Sequence, residues 1–258
     1  LTASSVTGHT ARYVAARSAM LNGSGMSGFL CVTGVDCEIP RGMIKSSMLK
    51  NGADTRERLL DAAEQLYLER GYGATSVEAI VAAAGLTKGA LFHHFPTKHD
   101  LALALIERYA TSDRRMLEQT IARAERLSRD PVQQVLLMVG LAEEELSNLP
   151  LERTGCLFAS FGYQAAMFDE QVHALIEREL LVWRELVATK LREAMEQRPP
   201  RLDVSADELA DGLVAAIEGG FVLARGLRDA ALLPGQLRQF RNYLELLFGA
   251  EAPAQTSY

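Results

Sequence analysis

Gly85 lies between two short apolar-periodic runs, and the chain around it leaves almost no room for a loop. In TSVEAIVAAAGLTKGALFHHFPTKHD, residues 75–100, Thr75 and Glu78 read as a capping pair ahead of an apolar run. A helix is therefore expected from Ser76, with Val77, Ile80 and Ala84 on one face. Glycine supplies the positive φ needed to leave a helix and turn at once. Thr87 then caps a second helix that carries Leu91 and Phe95 before Pro96 forbids continuation. The stretch predicts helix, tight turn, helix.

A pair joined this closely, with its second member opening on Thr87, Lys88, Gly89 and Ala90, fits the helix-turn-helix that places its second helix in the DNA major groove. Threonine and lysine donate to base edges or phosphates, and glycine and alanine let the backbone approach without steric cost. A helical hairpin with glycine in its turn is equally at home in plain packing, so the turn alone leaves both readings open.

The flanking residues narrow the choice. From Thr55 to Tyr109 the positions Ala63, Gly71-Tyr72, Thr75-Ser76-Val77, Ile80, Ala84-Gly85-Leu86, Gly89, Leu91, His94-Phe95, Lys98 and Leu101 recur in register. On these residues the segment resembles the DNA-binding domain of the tetracycline-repressor (TetR) family of bacterial transcriptional regulators. The resemblance implies an all-α chain, with an N-terminal three-helix helix-turn-helix domain followed by a helical ligand-binding and dimerisation domain. It also implies a DNA-facing set of Thr75, Ser76, Thr87, Lys88, Gly89, Ala90, Phe92, His93 and Lys98, with His94 supporting the helix from behind. Phe92 is a departure: the family commonly has a tyrosine there, whose hydroxyl contacts phosphate.

Charge has to be divided along the chain before it fits DNA. The net value is −6 over 258 residues, yet residues 45–98 hold seven Lys/Arg against six Asp/Glu, whereas residues 99–258 hold 17 against 25. The acidity sits outside the helix-turn-helix, and the basic groups of the head must act by position rather than by bulk attraction. A hydrophobic content of 48% and a charged content of 23% describe a globular chain, with no apolar run long enough to span a bilayer. Cys31, Cys37 and Cys156 give neither a disulfide framework nor zinc spacing, which suits a cytoplasmic protein.

Four segments are expected. Residues 1–47 lack any sustained period and read as a disordered extension or a non-native leader, with Met43 and Met48 as candidate starts. Residues 48–98 form the DNA-binding domain, 99–250 the helical ligand-binding and dimerisation domain, and 251–258 a flexible tail. The first helix is expected from Asp54 to Gly71. Its stripe of Leu59, Ala63, Leu66 and Tyr67 belongs to the head's core, and Arg56 and Arg58 are expected to be solvated. His93 and His94 are rejected as a metal site, because adjacent helical residues diverge by about 100° and cannot share a ligand face. Thr97 and Asp100 form a further capping pair, which puts Lys98 in a first helical turn where backbone N–H groups favour a phosphate.

The body is read as helical throughout. Asp130-Pro131 starts one helix and Pro150 closes it; Asp169 to Gln197 is a long amphipathic run ended by Pro199-Pro200; Ser205 with Glu208 caps the next; the last begins near Gly235. Small residues Ala215, Ala216, Gly219 and Gly220 suit close packing between helices, and the family resemblance implies a homodimer built there. Met138, Cys156, Phe158, Phe161, Tyr163, Met167 and Trp183 are the candidate ligand-binding residues, suited to a small apolar or aromatic molecule. Cys156 follows Gly155 at an expected helix start, with Arg153 nearby, a setting that favours thiolate and an electrophilic effector, whereas its neighbours Leu157 and Phe158 suit the commoner role of a small buried hydrophobe. No phosphate-cradling loop, metal motif or nucleophile motif supports an enzyme, and no cofactor is expected. An all-helical small-molecule or thiol-sensing module without DNA binding, or a helical enzyme, remains as the alternative.

Overall fold

The computed structural model describes residues 41–151 and 154–249, with residues 41–51 as backbone only. The expectations for residues 1–40 and for the tail at 251–258 lie outside the described residues. Helix α1 spans Arg41–Arg70, so it starts well before Asp54. Helix formers such as Met43, Lys45, Met48 and Leu49 carry the pattern through, and no proline intervenes. It ends at Gly71, whose φ of +81° turns the chain while its N–H donates to the Tyr67 carbonyl at 2.9 Å. Leu59, Leu60, Ala63 and Tyr67 are fully buried along one face.

Helices α2 (Val77–Ala84) and α3 (Lys88–His94) form the expected hairpin. Gly85 adopts φ +64° and ψ 38°, and the Leu86 N–H reaches back to the Val81 carbonyl at 2.8 Å. Thr87 caps α3 by accepting from the Ala90 N–H at 3.2 Å. Helix α4 (Lys98–Leu127) opens on the capping box of Thr97 and Asp100, and its 30 residues carry it about 45 Å from head to body. Arg108 of α4 ties it to α1, with Glu57 at 3.0 Å and Asp61 and Glu64 each at 2.7 Å.

The body adds α5 (Pro131–Ser147), the short α6 (Leu157–Gly162), a 3₁₀ turn at Ala165–Met167, α7 (Glu170–Gln197), α8 (Ala206–Leu227) and α9 (Leu232–Phe248). The expected caps at Asp130, Asp169 and Ser205 all form. Helix α9 starts three residues earlier than Gly235 because Pro234 is harmless in a first turn, where no intrahelical N–H bond is lost. No strand occurs among the described residues, and no helix among them is long and apolar enough to cross a membrane.

Two apolar cores result. One joins Leu59, Ile80 and Leu91 of the head to Leu101, Leu157, Phe161, Val172 and Ile176 of the body. The other fills the far end, from Val135 and Met138 of α5 to Leu191 of α7, Leu209 of α8 and Leu244 of α9. The first core crosses the segment boundary at 98/99. Helix α6 and the start of α7 therefore pack directly against the head.

Candidate nucleic-acid interface and effector cleft

The opening of α3 presents a nearly continuous outer face: Ser76, Thr87, Lys88, Gly89, Phe92 and His93 are exposed and Ala90 is half-buried. Phe92 is 47% exposed, a large apolar ring on a surface otherwise built of small and polar groups. A thymine methyl or the sugar edge is a suitable neighbour for it. Lys88 is paired with Glu78 of α2 in the absence of any polyanion, and this pairing holds the Glu78 carboxyl below its usual range. His94 lies half-buried behind the face. Burial first, then His93 and Arg56, lowers its pKa and favours the neutral ring.

Two members of the expected DNA-facing set stand differently. Thr75 is only 1% exposed, and its hydroxyl donates toward the Gly71 carbonyl at 2.8 Å, with the Leu66 carbonyl at 3.3 Å. It closes the end of α1, so it leaves the interface. The N-cap of α2 is Ser76, which accepts from the Ala79 N–H at 3.1 Å. Lys98 keeps its place in the first turn of α4, but its Nζ donates to the Tyr72 carbonyl at 2.6 Å and sits 4.0 Å from the Tyr72 ring centroid. Burial lowers its pKa. An ammonium has three donors, so two remain for a phosphate.

Arg58, expected to be merely solvated, donates from Nη2 to the Ala84 carbonyl at 2.6 Å. It satisfies one of the carbonyls left open where α2 ends, beside the Gly85 turn. Arg56 lies with its guanidinium carbon 5.4 Å from the Phe95 ring centroid. Neither role has a signal in the local sequence, because each partner lies on another element.

The candidate ligand residues do not come together as one pocket. Met138 is buried in the second core, whereas Phe158 and Phe161 are buried in the first. Tyr163 is 82% exposed and Met167 is 55% exposed, because both lie past the end of α6 on the segment that runs toward the head. Among the described residues, Phe158 and Trp183 share an interior cavity, of about 10 Å³, with Ala110, Asp113, Arg114, Glu179 and Val182. That is room for about one water. A larger depression of about 400 Å³ runs along Ala174, Arg178, Leu181 and Glu185, but α7 alone lines it and it encloses nothing.

Around the interior cavity the structure gathers carboxyls that helical spacing gave no reason to single out. Asp113 lies one turn beyond Tyr109 on α4. Burial, then Glu218 and Glu179, pushes its pKa up to about 6. Glu218 of α8 is also raised by burial. Glu179 is compensated by Arg114 at 2.6 Å and Arg178 at 3.1 Å. Cys156 is the N-cap of α6, as expected, but it does not favour thiolate. Burial first, then the Glu218 carboxylate, drives its pKa well up, and this outweighs the help of backbone N–H groups. Arg153 lies outside the described residues.

Comparison with known proteins agrees with this geometry. Residues 59–105 match the family described as bacterial regulatory proteins, tetR family, and residues 144–240 match the tetracyclin repressor-like C-terminal domain. The chain is 29% identical over 186 residues to the transcriptional regulator AcuR of Cereibacter sphaeroides, covering 72% of this chain and 80% of that protein. It is 26% identical over 167 residues to the HTH-type transcriptional repressor DhaR of Mycobacterium sp. strain GP1, covering 65% and 80%. Among solved structures it is similar to a TetR regulatory protein from Rhodobacter sphaeroides, with 28% identity, a TM-score of 0.61 and coverage of 74% of this chain and 97% of that one. With a helix-turn-helix match in the head and a family-specific match in the body, the chain belongs to the TetR family of DNA-binding bacterial transcriptional regulators.

Proposed function

We propose that this protein is a repressor that binds a palindromic operator as a homodimer and is released by a small molecule, acting by binding rather than by catalysis. The observation that carries the reading is the outer face of α3. Seven residues long, the helix keeps Thr87, Lys88, Gly89, Phe92 and His93 exposed while Leu91 anchors it in the core. Ser76 and the two remaining donors of Lys98 flank it as phosphate contacts.

Pairing follows from α8 and α9. Val222, Leu223 and Leu227 of α8 and Leu246 of α9 are exposed apolar side chains. A Cβ added at Gly219 or Gly226 would meet nothing within 4 Å. An apolar helix face with small residues is suited to a second copy, which a palindromic site requires. Gly220 is not part of that face: a Cβ there would lie 2.7 Å from Leu233 Cδ1, so its smallness serves the α8–α9 contact within the chain.

The effector enters between α4, α6 and α7, where Phe158 and Trp183 supply apolar contacts and Cys156 lies at the edge. The cavity has to enlarge, so ligand and DNA compete through the position of α6. A half-buried, poorly ionised thiol favours reversible binding over covalent capture. The test is selection from random duplexes followed by gel shift. A recovered palindrome that the wild-type protein retards in preference to scrambled DNA supports the reading; recovery of no preferred sequence refutes it.

A further inference from the structure

We infer that Gln164 is a positioning residue for operator binding, acting from the body on the turn that sets the helix-turn-helix; the inference rests on the operator-binding reading above. Its Oε1 accepts from the Gly73 backbone N–H at 2.9 Å, across 91 residues of sequence. Its Nε2 donates to the Ser160 carbonyl at 3.2 Å, which anchors the side chain on α6. The two glycines of Gly71-Tyr72-Gly73 are what let it approach. A Cβ at Gly71 would lie 2.7 Å from Gln164 Nε2, and one at Gly73 would lie 2.8 Å from Met167 Cε and 2.9 Å from its Sδ.

The same turn is gripped at two further points. Lys98 holds the Tyr72 carbonyl, and the Tyr72 ring packs on Phe168 with centroids 4.6 Å apart. Ser160 Oγ also points at the Tyr67 carbonyl, at 3.4 Å, on the last turn of α1. A chain segment that leaves α1 and enters α2 is thus held by N–H, by C=O and by side chain, each time from α4 or from the α6–α7 segment. Because α3 is fixed to α2 by the Gly85 turn, the orientation of this segment sets the orientation of the DNA-facing helix.

Helix α6 connects this grip to the cleft. Cys156 and Phe158 stand at its start, and Ser160 and Gln164 at and just beyond its end. A helix of six residues spans only about 9 Å, so it tilts as one piece. Displacement at Phe158 draws Gln164 away from Gly73. The exposed Tyr163 and Met167 belong to this transmission segment rather than to a ligand wall.

The experiment compares wild type, Gln164→Leu, Gly73→Ala and Gly73→Ala/Met167→Ala on a selected operator and on a scrambled duplex, with amide exchange at Gly73 in the DNA-free protein. Gln164→Leu is expected to speed exchange at Gly73 and to weaken the operator by about three- to tenfold, the loss of one neutral hydrogen bond. Scrambled-duplex binding and dimer mass are expected to stay unchanged, and the melting temperature to fall by no more than about 4 °C. Gly73→Ala and the double variant are expected to bind operator within about twofold of wild type, since the added carbon meets chiefly the exposed, flexible tip of Met167 and the bond to Gln164 stays in place. Unchanged Gly73 exchange overturns the inference, as does unchanged operator discrimination in Gln164→Leu. A wild type that prefers no duplex overturns the operator reading, and this inference with it.

Discussion

Thr75→Val separates a structural hydroxyl from a DNA-contacting one. Valine keeps the shape of a side chain that is 1% exposed and removes only the hydroxyl that serves the Gly71 and Leu66 carbonyls. Leu66 O already has its place in the α1 ladder, so the net loss is chiefly the 2.8 Å bond to Gly71. A buried carbonyl stripped of its partner costs about 1–2 kcal/mol. For a chain of this size that lowers the melting temperature by about 3–6 °C. Thr75→Ser keeps the bond and loses one buried methyl, about 1 kcal/mol, so its melting temperature falls less. Thermal melts of the three proteins, with operator titrations well below the transition at several salt concentrations, decide the matter. The Val variant is expected to melt lower and, well below its transition, to bind operator with wild-type affinity. A Val variant that melts like wild type but loses affinity would put Thr75 on the DNA and refute the burial argument.

Three more expectations address other parts of the molecule. Gly220→Ala should destabilise by about 1–3 kcal/mol, because the added carbon meets Leu233 Cα at 3.1 Å and its carbonyl oxygen at 3.4 Å; Gly219→Ala, with open space around it in its own chain, should disturb only the pairing proposed above, and melting both proteins alongside their dimer mass checks the pair. Asp113 holds its proton to about pH 6 when folded, against an ordinary value of 3.8. The folded state therefore binds the extra proton between those values, and stability should fall by about 1–3 kcal/mol as pH rises through that window; denaturant titrations across it should show a clearly smaller fall for Asp113→Asn. Glu78→Gln frees Lys88 and removes a negative charge beside the DNA-facing helix, so binding to all duplexes should tighten by about twofold or more at low salt and return toward wild type at high salt.

The head was legible because its signals are local. Gly85 had to take positive φ, Thr87 and Thr97 cap the helices that follow them, and the α1 stripe repeats at helical spacing. Thr75 misled because Thr75 and Ser76 are adjacent hydroxyls, each able to cap, and only the fold shows that the first is buried under the end of α1. The ligand set misled for a different reason. Met138, Phe161 and Trp183 all look like cleft residues by type, yet which apolar side chain faces a cavity and which faces a core depends on contacts between distant elements. The same limit hid Asp113 and Glu218, a half-buried pair from α4 and α8, and Gln164, whose partner Gly73 lies on another element. Local chemistry fixes caps and turns; burial of a polar group is a property of the assembled chain.

The central claim is that α3 reads DNA as one half of a symmetric pair. Hydroxyl-radical footprinting of the selected duplex, with the protein–DNA mass measured in the same solution, tests it directly. The account predicts two chains per duplex and two protected patches centred about 34–36 Å apart along one face of the helix, with Lys88→Ala and His93→Ala losing preference for that sequence. A single chain per duplex, protection without periodicity, or unaltered sequence preference in both variants would contradict it.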